Sequence, residues 1–182
     1  MRASLSLLSM PLNKYAPQVA THRRTQRAIL QATKELIATT GLKKMSMIEI
    51  ADVSEVSRAT LYNHYRDKES VLLALCESEL ARLVEIAQKA PDATTALEQI
   101  SVEISQDKAL MAMRAQDPDS LTVALSAQTD TLWKAFSIAM AHLLGSEKSE
   151  LATRWLIGQA LHPINAQQSR SQAEAITGIA NL

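Results

Sequence analysis

Residues 41–76, GLKKMSMIEIADVSEVSRATLYNHYRDKESVLLALC, contain the pattern that decides the fold. Ser46 is followed three residues later by Glu49, which is the capping box that opens a helix. The apolar residues after Ser46 are typical of a short packed helix. Ser57 is a good N-cap for a second short helix, which reaches about His64. Because only a few residues separate the two helices, the stretch predicts a helix-turn-helix.

Helices are also predicted on both sides of this motif. Upstream, a helix from about Thr21 to Thr40 ends at Gly41. Downstream, a long helix capped by Asp67 reaches about Lys89. The predicted apolar stripe of this long helix is Leu72, Cys76, Leu80, Leu83 and Ala87. The chain has only four glycines and five prolines. Alanine, leucine and long polar residues dominate the chain, which predicts an all-α protein.

The rest of the chain predicts further helices. One helix runs from about Thr94 to Ser105 with a Thr95–Glu98 capping box, and a shorter helix follows Asp107. A long helix opens with Asp117 as N-cap and Pro118 and ends at Gly145. The last two helices run from Ser146 to about Leu161, and from about Arg170 to Ala180 after Ser169 with Gln172. The expected division is a disordered or variable arm at 1–20, a helix-turn-helix DNA-binding domain at 21–66 and a helical domain at 67–182.

The formal charge of the chain is zero, yet it is divided unevenly. Residues 1–66 contain ten Lys or Arg against four Asp or Glu, a net charge of +6, and residues 67–182 contain nine against fifteen, a net charge of −6. Arg23, Arg24 and Arg27 lie in the first turns of a predicted helix, where the helix dipole disfavours cations. A polyanion partner explains both features, although a chance excess of basic residues would explain the net charge alone.

The motif resembles the DNA-binding domain of the tetracycline-repressor (TetR) family. The shared features are a glycine, a capping serine, an Ile-Ala pair, a Val-Ser pair, a Thr-Leu-Tyr run, an aromatic residue and a lysine that opens the long helix. They stand here as Gly41, Ser46, Ile50-Ala51, Val56-Ser57, Thr60-Leu61-Tyr62, Tyr65 and Lys68. The body after residue 76 is similar to the family only in being helical and of suitable length.

The sequence departs from the family at two positions. Glu55 stands in the turn between the two short helices, where the family commonly has glycine. Glu55 must therefore adopt a backbone that glycine takes more readily, or the turn differs slightly. Ile48 stands where a basic residue is frequent, so one phosphate contact is expected to be absent.

The resemblance implies that the second helix of the motif enters the major groove of DNA, where each base pair shows a distinct pattern of donors and acceptors. Arg58 can donate two hydrogen bonds to one guanine, and Asn63 can form two hydrogen bonds with one adenine. Ala59 or the Thr60 methyl group can touch a thymine methyl group. For Arg58 the plainer alternative is a solvated charge.

Other residues of the motif suit phosphates. Tyr62, His64 and Lys68 have polar groups for the DNA backbone, and the start of the first short helix at Ser46 offers free amides. Tyr62 could instead cover the helix surface, and His64 could be a capping or packing histidine. The predicted DNA-binding residues are Ser46, Ser57, Arg58, Ala59, Thr60, Tyr62, Asn63, His64 and Lys68.

For the body, the resemblance implies a small-molecule effector pocket and a homodimer formed by two late helices, here about 146–161 and 169–180. The candidate pocket residues are Met111, Met113, Trp133, Phe136, Met140 and Trp155. Ordinary core packing is at least as good an interpretation for each of them. Helical packing inside one chain is likewise the alternative for the late helices.

The function expected from the sequence is sequence-specific DNA binding by a transcriptional regulator, a repressor that an effector releases from a near-palindromic site. No nucleophile elbow, phosphate loop or metal-ligand spacing is found, so an enzyme, a metal site or a cofactor is not expected. A single cysteine and the lack of a long apolar stretch fit a cytoplasmic protein. The alternative is a helical carrier or adaptor that does not bind DNA, although it would not need the basic N-terminal part.

Overall fold

The computed structural model describes residues 16–126 and 131–178, which form ten helices and no strand. The helices are α1 (Ala16–Thr39), α2 (Met47–Val53), α3 (Arg58–His64), α4 (Lys68–Lys89), α5 (Ala93–Gln106), α6 (Lys108–Gln116), α7 (Pro118–Ser126), α8 (Thr131–Leu144), α9 (Ser146–Leu161) and α10 (Ala166–Gly178). The predicted all-α fold with an N-terminal helix-turn-helix is confirmed. Within the described ranges, no helix is long and apolar enough to cross a membrane.

The two short helices of the motif begin where the sequence predicts. The Glu49 N–H donates to Ser46 Oγ (3.3 Å) and the Ser46 N–H donates to Glu49 Oε2 (2.8 Å), which completes the capping box before α2. The Thr60 N–H donates to Ser57 Oγ (3.0 Å) at the start of α3. Glu55, in the turn between them, has a φ of 56°. This left-handed backbone carries a steric cost that a glycine would not have.

A first hydrophobic core joins α1, α2, α3, the start of α4 and the start of α6. It consists of Ile29, Leu30, Leu36, Ile37, Met45, Ile50, Ala51, Leu61, Tyr65, Val71, Leu75 and Ala109. Since α2 and α3 have seven residues each, they are too short to be stable alone. Burial of their apolar side chains in this core holds both helices in place.

A second hydrophobic core lies in the body and joins the end of α4 to α5, α8, α9 and α10. It consists of Leu83, Ala87, Ala96, Leu97, Ile100, Phe136, Met140, Ala152, Leu156, Ala173 and Ile176. The long helix α4 contributes to both cores, so it connects them directly.

The buried side of α4 differs from the predicted stripe in its first half. Cys76 is exposed, and Val71 and Leu75 are buried instead. Leu83 and Ala87 are buried as predicted. Leu72 and Leu80 also pack against the first and second core, so only Cys76 of the predicted stripe is wrong. The first half of α4 faces the first core and the second half faces the second core.

Two helix caps in the body also differ from the sequence prediction. Asp92 caps α5 and accepts from the Thr95 N–H (2.8 Å), so the expected capping box that starts at Thr95 is wrong. The side chain of Asn165 accepts from the backbone at the start of α10, and the expected cap, Ser169, is buried. The predicted helix from Pro118 to Gly145 is described as α7 and α8, and residues 127–130 between them lie outside the described residues.

A pair of isoleucines on α2 provides a test of the first core. Ile50 is 0% exposed, whereas Ile48 is 47% exposed. We expect Ile50→Ala to lower the free energy of unfolding by about 2–5 kcal/mol, because it leaves a cavity between α1, α2 and α3. Urea denaturation followed by circular dichroism measures this change. The matched variant Ile48→Ala should stay within about 0.5 kcal/mol of the parent protein, and an equal loss in both variants would contradict the assignment of the core.

Candidate nucleic-acid interface

The side of α3 that faces away from the first core is open to solvent. Leu61 is fully buried and fixes the rotation of the helix about its axis. As a result Arg58, Ala59, Tyr62 and Asn63 are all exposed. We call these four residues the reading face. The sequence predicted all four as DNA-binding residues, and the structure brings them together on one side of one helix.

Three other predicted residues use their hydroxyl groups within the motif. Ser46 Oγ donates to Glu49 Oε2 (2.8 Å) and caps α2. Ser57 Oγ lies 2.8 Å from Thr60 Oγ1, so these two hydroxyl groups bond to each other at the start of α3. A DNA contact by any of the three side chains must therefore coexist with its capping role.

Lys68 is held by a contact that the sequence did not indicate. Its Nζ donates to the backbone oxygen of Leu42 (2.6 Å), in the loop between α1 and α2. The ammonium therefore links the start of α4 to this loop. Lys68 lies beside the motif as predicted, but it stabilises the loop before α2 as well as adding positive charge.

His64, in the last turn of α3, stacks on a residue that the sequence analysis missed. The ring centroids of His22 and His64 are 4.2 Å apart, and the ring planes differ by 20°. The pKa of the His64 imidazole is lowered, first by burial and second by the nearby His22. No sequence signal connects His22 with His64, because the two residues are far apart in the chain and only the packing of α1 beside α3 brings them together.

The stacked histidines place the start of α1 next to the end of α3. Arg23 and Arg24 follow His22 directly, and Arg27 lies one turn later. All three arginines are exposed, and we call them the basic rim. Because α1 begins at Ala16, the three arginines lie about two turns or more inside the helix, so the expectation that they meet an unfavourable helix dipole in the first turns is wrong. Their exposure beside α3 still suits a polyanion that lies over both helices.

The two lysines before α2 differ in their surroundings. Lys44 is exposed. Lys43 Nζ lies 2.8 Å from Asp117 Oδ1, at the junction of α6 and α7. This ammonium lowers the pKa of the Asp117 carboxyl, which stays charged although Asp117 is only 2% exposed. Lys44 is thus the lysine of this loop with an open path to a phosphate.

The six candidate pocket residues do not form a single group. Phe136 and Met140 are buried in the second core, and Trp133 and Trp155 pack against it. The Trp133 and Phe136 rings meet edge to face with centroids 6.1 Å apart. Trp155 also donates from Nε1 to Gln172 Oε1 (2.6 Å). The remaining two residues lie elsewhere: Met113 packs against the first core, and Met111 is exposed.

Comparison with known proteins agrees with this geometry. A sequence model described as "Bacterial regulatory proteins, tetR family" matches residues 29–75, which include α2, α3 and the start of α4. A search of curated proteins finds no match.

Solved structures share the fold over most of the chain. A TetR-family transcriptional regulator from Haemophilus influenzae RD is 16% identical, covers 87% of this chain and 97% of its own, and has a TM-score of 0.56. The fatty acid degradation regulator FadR from Bacillus halodurans is 17% identical, covers 85% of this chain and 95% of its own, and has a TM-score of 0.59. GusR from Salmonella enterica is 17% identical, covers 94% of this chain and 99% of its own, and has a TM-score of 0.58.

These structures share the helical body as well as the motif, which extends the likeness beyond the residues that the sequence model matches. Residues 29–75 therefore match the bacterial regulatory proteins of the tetR family, so the chain carries the DNA-binding helix-turn-helix of such a transcriptional regulator, and its helical body has the same fold as the solved structures.

Proposed function

We propose that the protein is a homodimeric repressor that reads a near-palindromic DNA site with α3 and is released by a small-molecule effector. One observation supports DNA reading above all others: the reading face is exposed beside the basic rim while Leu61 holds α3 from behind. Arg58 and Asn63 then contact base edges in the major groove. Tyr62 and the basic rim contact phosphates, which position the protein on the duplex. We place this regulator in the cytoplasm, with the DNA that it binds.

The proposed domain division follows the two cores. A DNA-binding domain at 21–66 contains α2, α3 and all of α1 except its first five residues, and an effector and dimerisation domain at 67–182 contains the remaining helices. The boundary is not sharp, since Val71 and Leu75 of α4 and Ala109 of α6 are buried in the first core. Movement in the body can therefore reach the DNA-binding domain through α4 and α6.

Contacts of α6 support release by an effector. Ala109 is buried in the first core, and Asp107 at the start of the helix lies 2.7 Å from Lys34 Nζ on α1. Near the end of α6, Arg114 donates to the backbone oxygen of Ala160 on α9 (2.9 Å). Because α6 is bound to α1 on one side and to the body on the other, a ligand that displaces it changes the position of α1.

The junction between α6 and α7 adds a contact with the loop before α2. The buried Asp117 pairs with Lys43 of that loop. A Cβ atom added to Gly41 would lie 2.6 Å from Gln116 Oε1, so the loop and the end of α6 are closely packed. A displacement of this junction would move the residues that lead into α2, and α2 supports the reading helix.

We place the effector site beside Trp133, Phe136, Met140 and Trp155, the four candidate residues that meet at the second core. These side chains favour a ligand with a large apolar part. Met111 and Met113 lie away from this group and are left out of the proposed site.

The proposed dimer interface lies on α8 and α9. The apolar side of α10 is already used within the chain, because Ala173 and Ile176 are buried in the second core. Ile138 on α8 is 60% exposed and Leu151 on α9 is 45% exposed. Two packed helices with exposed apolar residues suit a bundle with the same two helices of a second copy.

The proposal is tested by selecting bound sequences from random DNA and placing the selected site in a reporter promoter. A repressor yields sequences with a dyad and lowers transcription from that promoter. A screen of metabolites and drugs then looks for compounds that restore transcription. If no sequence is enriched, the alternative of a helical carrier or adaptor is favoured; if transcription rises on binding, the protein is an activator.

Base recognition and phosphate binding are expected to depend on different residues. Arg58→Ala or Asn63→Ala should cost about 1–3 kcal/mol on the selected site and relax the base preference at one position in each half-site. Lys44→Ala should weaken binding to selected and random DNA about equally. Lys44 is a better control than Lys68, because the Lys68 ammonium also holds the Leu42 backbone. Titrations with both kinds of DNA measure these effects, and an altered base preference in Lys44→Ala would contradict the assignment.

The basic rim should make binding depend on salt. We expect the logarithm of the affinity to fall linearly with the logarithm of the salt concentration, because bound arginines release counterions from the DNA. Arg24→Ala or Arg27→Ala should reduce this slope by about one for each bound subunit, and so by about two for the dimer. The matched control is Lys89→Ala at the end of α4, outside both proposed interfaces, which should leave the slope unchanged. A slope close to zero in the parent protein would contradict the proposed interface.

The dimer interface is tested by Ile138→Asp and Leu151→Asp. A charge at the centre of an apolar bundle should convert the dimer to a monomer. The affinity for a two-half-site duplex should then fall at least about a hundredfold. Light scattering measures the molar mass. Leu73→Asp is the matched control, since Leu73 is an exposed leucine of α4 beside the first core; a monomeric parent protein that binds the full site tightly would overturn the interface.

A further inference from the structure

The stacked His22 and His64, which we call the histidine pair, join two helices at the edge of the candidate interface. The ring centroids lie 4.2 Å apart with the planes 20° from parallel. His22 is exposed and His64 is half-buried, so one side of the pair is open to solvent. Two polar rings in this arrangement offer hydrogen-bond donors to a ligand at that open side.

The position of the pair suits a DNA phosphate. His64 directly follows Asn63 of the reading face, and Arg23 of the basic rim directly follows His22. The sugar-phosphate strands border the major groove, so a helix whose side faces the base edges has its end beside a strand. The pair therefore lies between residues suited to bases and residues suited to phosphates.

The free protein disfavours the charged form of the His64 imidazole. A positive charge on this ring is poorly solvated where the ring is buried, and two imidazolium charges at stacking distance would repel each other. Burial, and then His22, lowers the pKa of His64. On its other side the His64 ring faces Tyr65 at 6.1 Å. The next charged residues, Arg66 and Asp67, pair with each other at 3.3 Å.

We propose that His22 and His64 together form one phosphate-binding site, which takes up a proton when the protein binds DNA. This inference rests on the proposed DNA interface and adds His22 to it as a contact. A phosphate beside the pair favours the imidazolium form, which donates a charge-assisted hydrogen bond. Because binding takes up a proton, affinity rises as the pH falls.

Stability and affinity should change in opposite directions. The pKa of His64 is lower in the folded protein than in the unfolded chain, where it lies near 6.5. As the pH falls below this value, the unfolded chain binds the proton first, so the free folded protein loses stability. The same acidification strengthens the DNA complex. If acid instead caused a general loss of structure, the stability of the free protein and its affinity for DNA would both fall.

The first experiment measures affinity for the selected duplex between about pH 8 and about pH 6 at constant salt. The parent protein should gain up to about tenfold per pH unit for each proton taken up, which is up to about a hundredfold for a dimer that takes up one proton in each subunit. The double variant His22→Gln/His64→Gln should still bind at the upper pH but lose this dependence. The chain has four histidines, so His142→Gln/His162→Gln replaces the other two and should retain the dependence.

The second experiment identifies the ligand as a phosphate. Each phosphate is replaced in turn, at the equivalent position of both half-sites, by a neutral methylphosphonate. One position in each half-site should abolish the pH dependence, whereas an effect spread evenly over all positions would overturn a local site. A pH-dependent affinity that survives in His22→Gln/His64→Gln would also overturn it. If the parent protein binds DNA with no pH dependence, this inference is overturned and the DNA interface stands. If the parent protein binds no DNA, both are overturned.

Discussion

The reading helix depends on the burial of one side chain. α3 has seven residues, and a helix of that length is not stable in water without tertiary contacts. Leu61 is fully buried against the first core, and the Ser57 cap sets where the helix starts. These two contacts determine which side of α3 faces solvent. The proposed roles of Arg58 and Asn63 therefore depend on an interaction in which neither residue takes part.

Support for this core extends into the body through α4 and α6. Both helices bury residues in the first core and also contact the helices of the second core or α9. Lys34 of α1 forms ion pairs with Glu79 of α4 and Asp107 of α6, at 2.8 and 2.7 Å. These contacts restrict how far the DNA-binding helices can move relative to the body. In such packing a small displacement is transmitted to neighbouring helices because a dense interior has little room to absorb it.

The positive charges near the motif have two different uses. The Lys43 ammonium pairs with buried Asp117, and the Lys68 ammonium binds the Leu42 backbone, so both hold the loop before α2. The basic rim and Lys44 are exposed. A count of basic residues overestimates the charge open to phosphates, because part of it stabilises the junction between the motif and the body.

The sequence by itself determined the all-α fold, the position of the helix-turn-helix, both of its caps and the outward residues of α3. Those features depend on residues three or four positions apart, such as Ser46 with Glu49. Only the tertiary structure decided the stacking of His22 on His64, the Lys43–Asp117 ion pair and the exposure of Cys76. The first two contacts join residues distant in the chain, and the exposure of Cys76 depends on which core each half of α4 faces. Local patterns predict how a helix starts and turns, but the packing of whole helices decides which of their side chains meet.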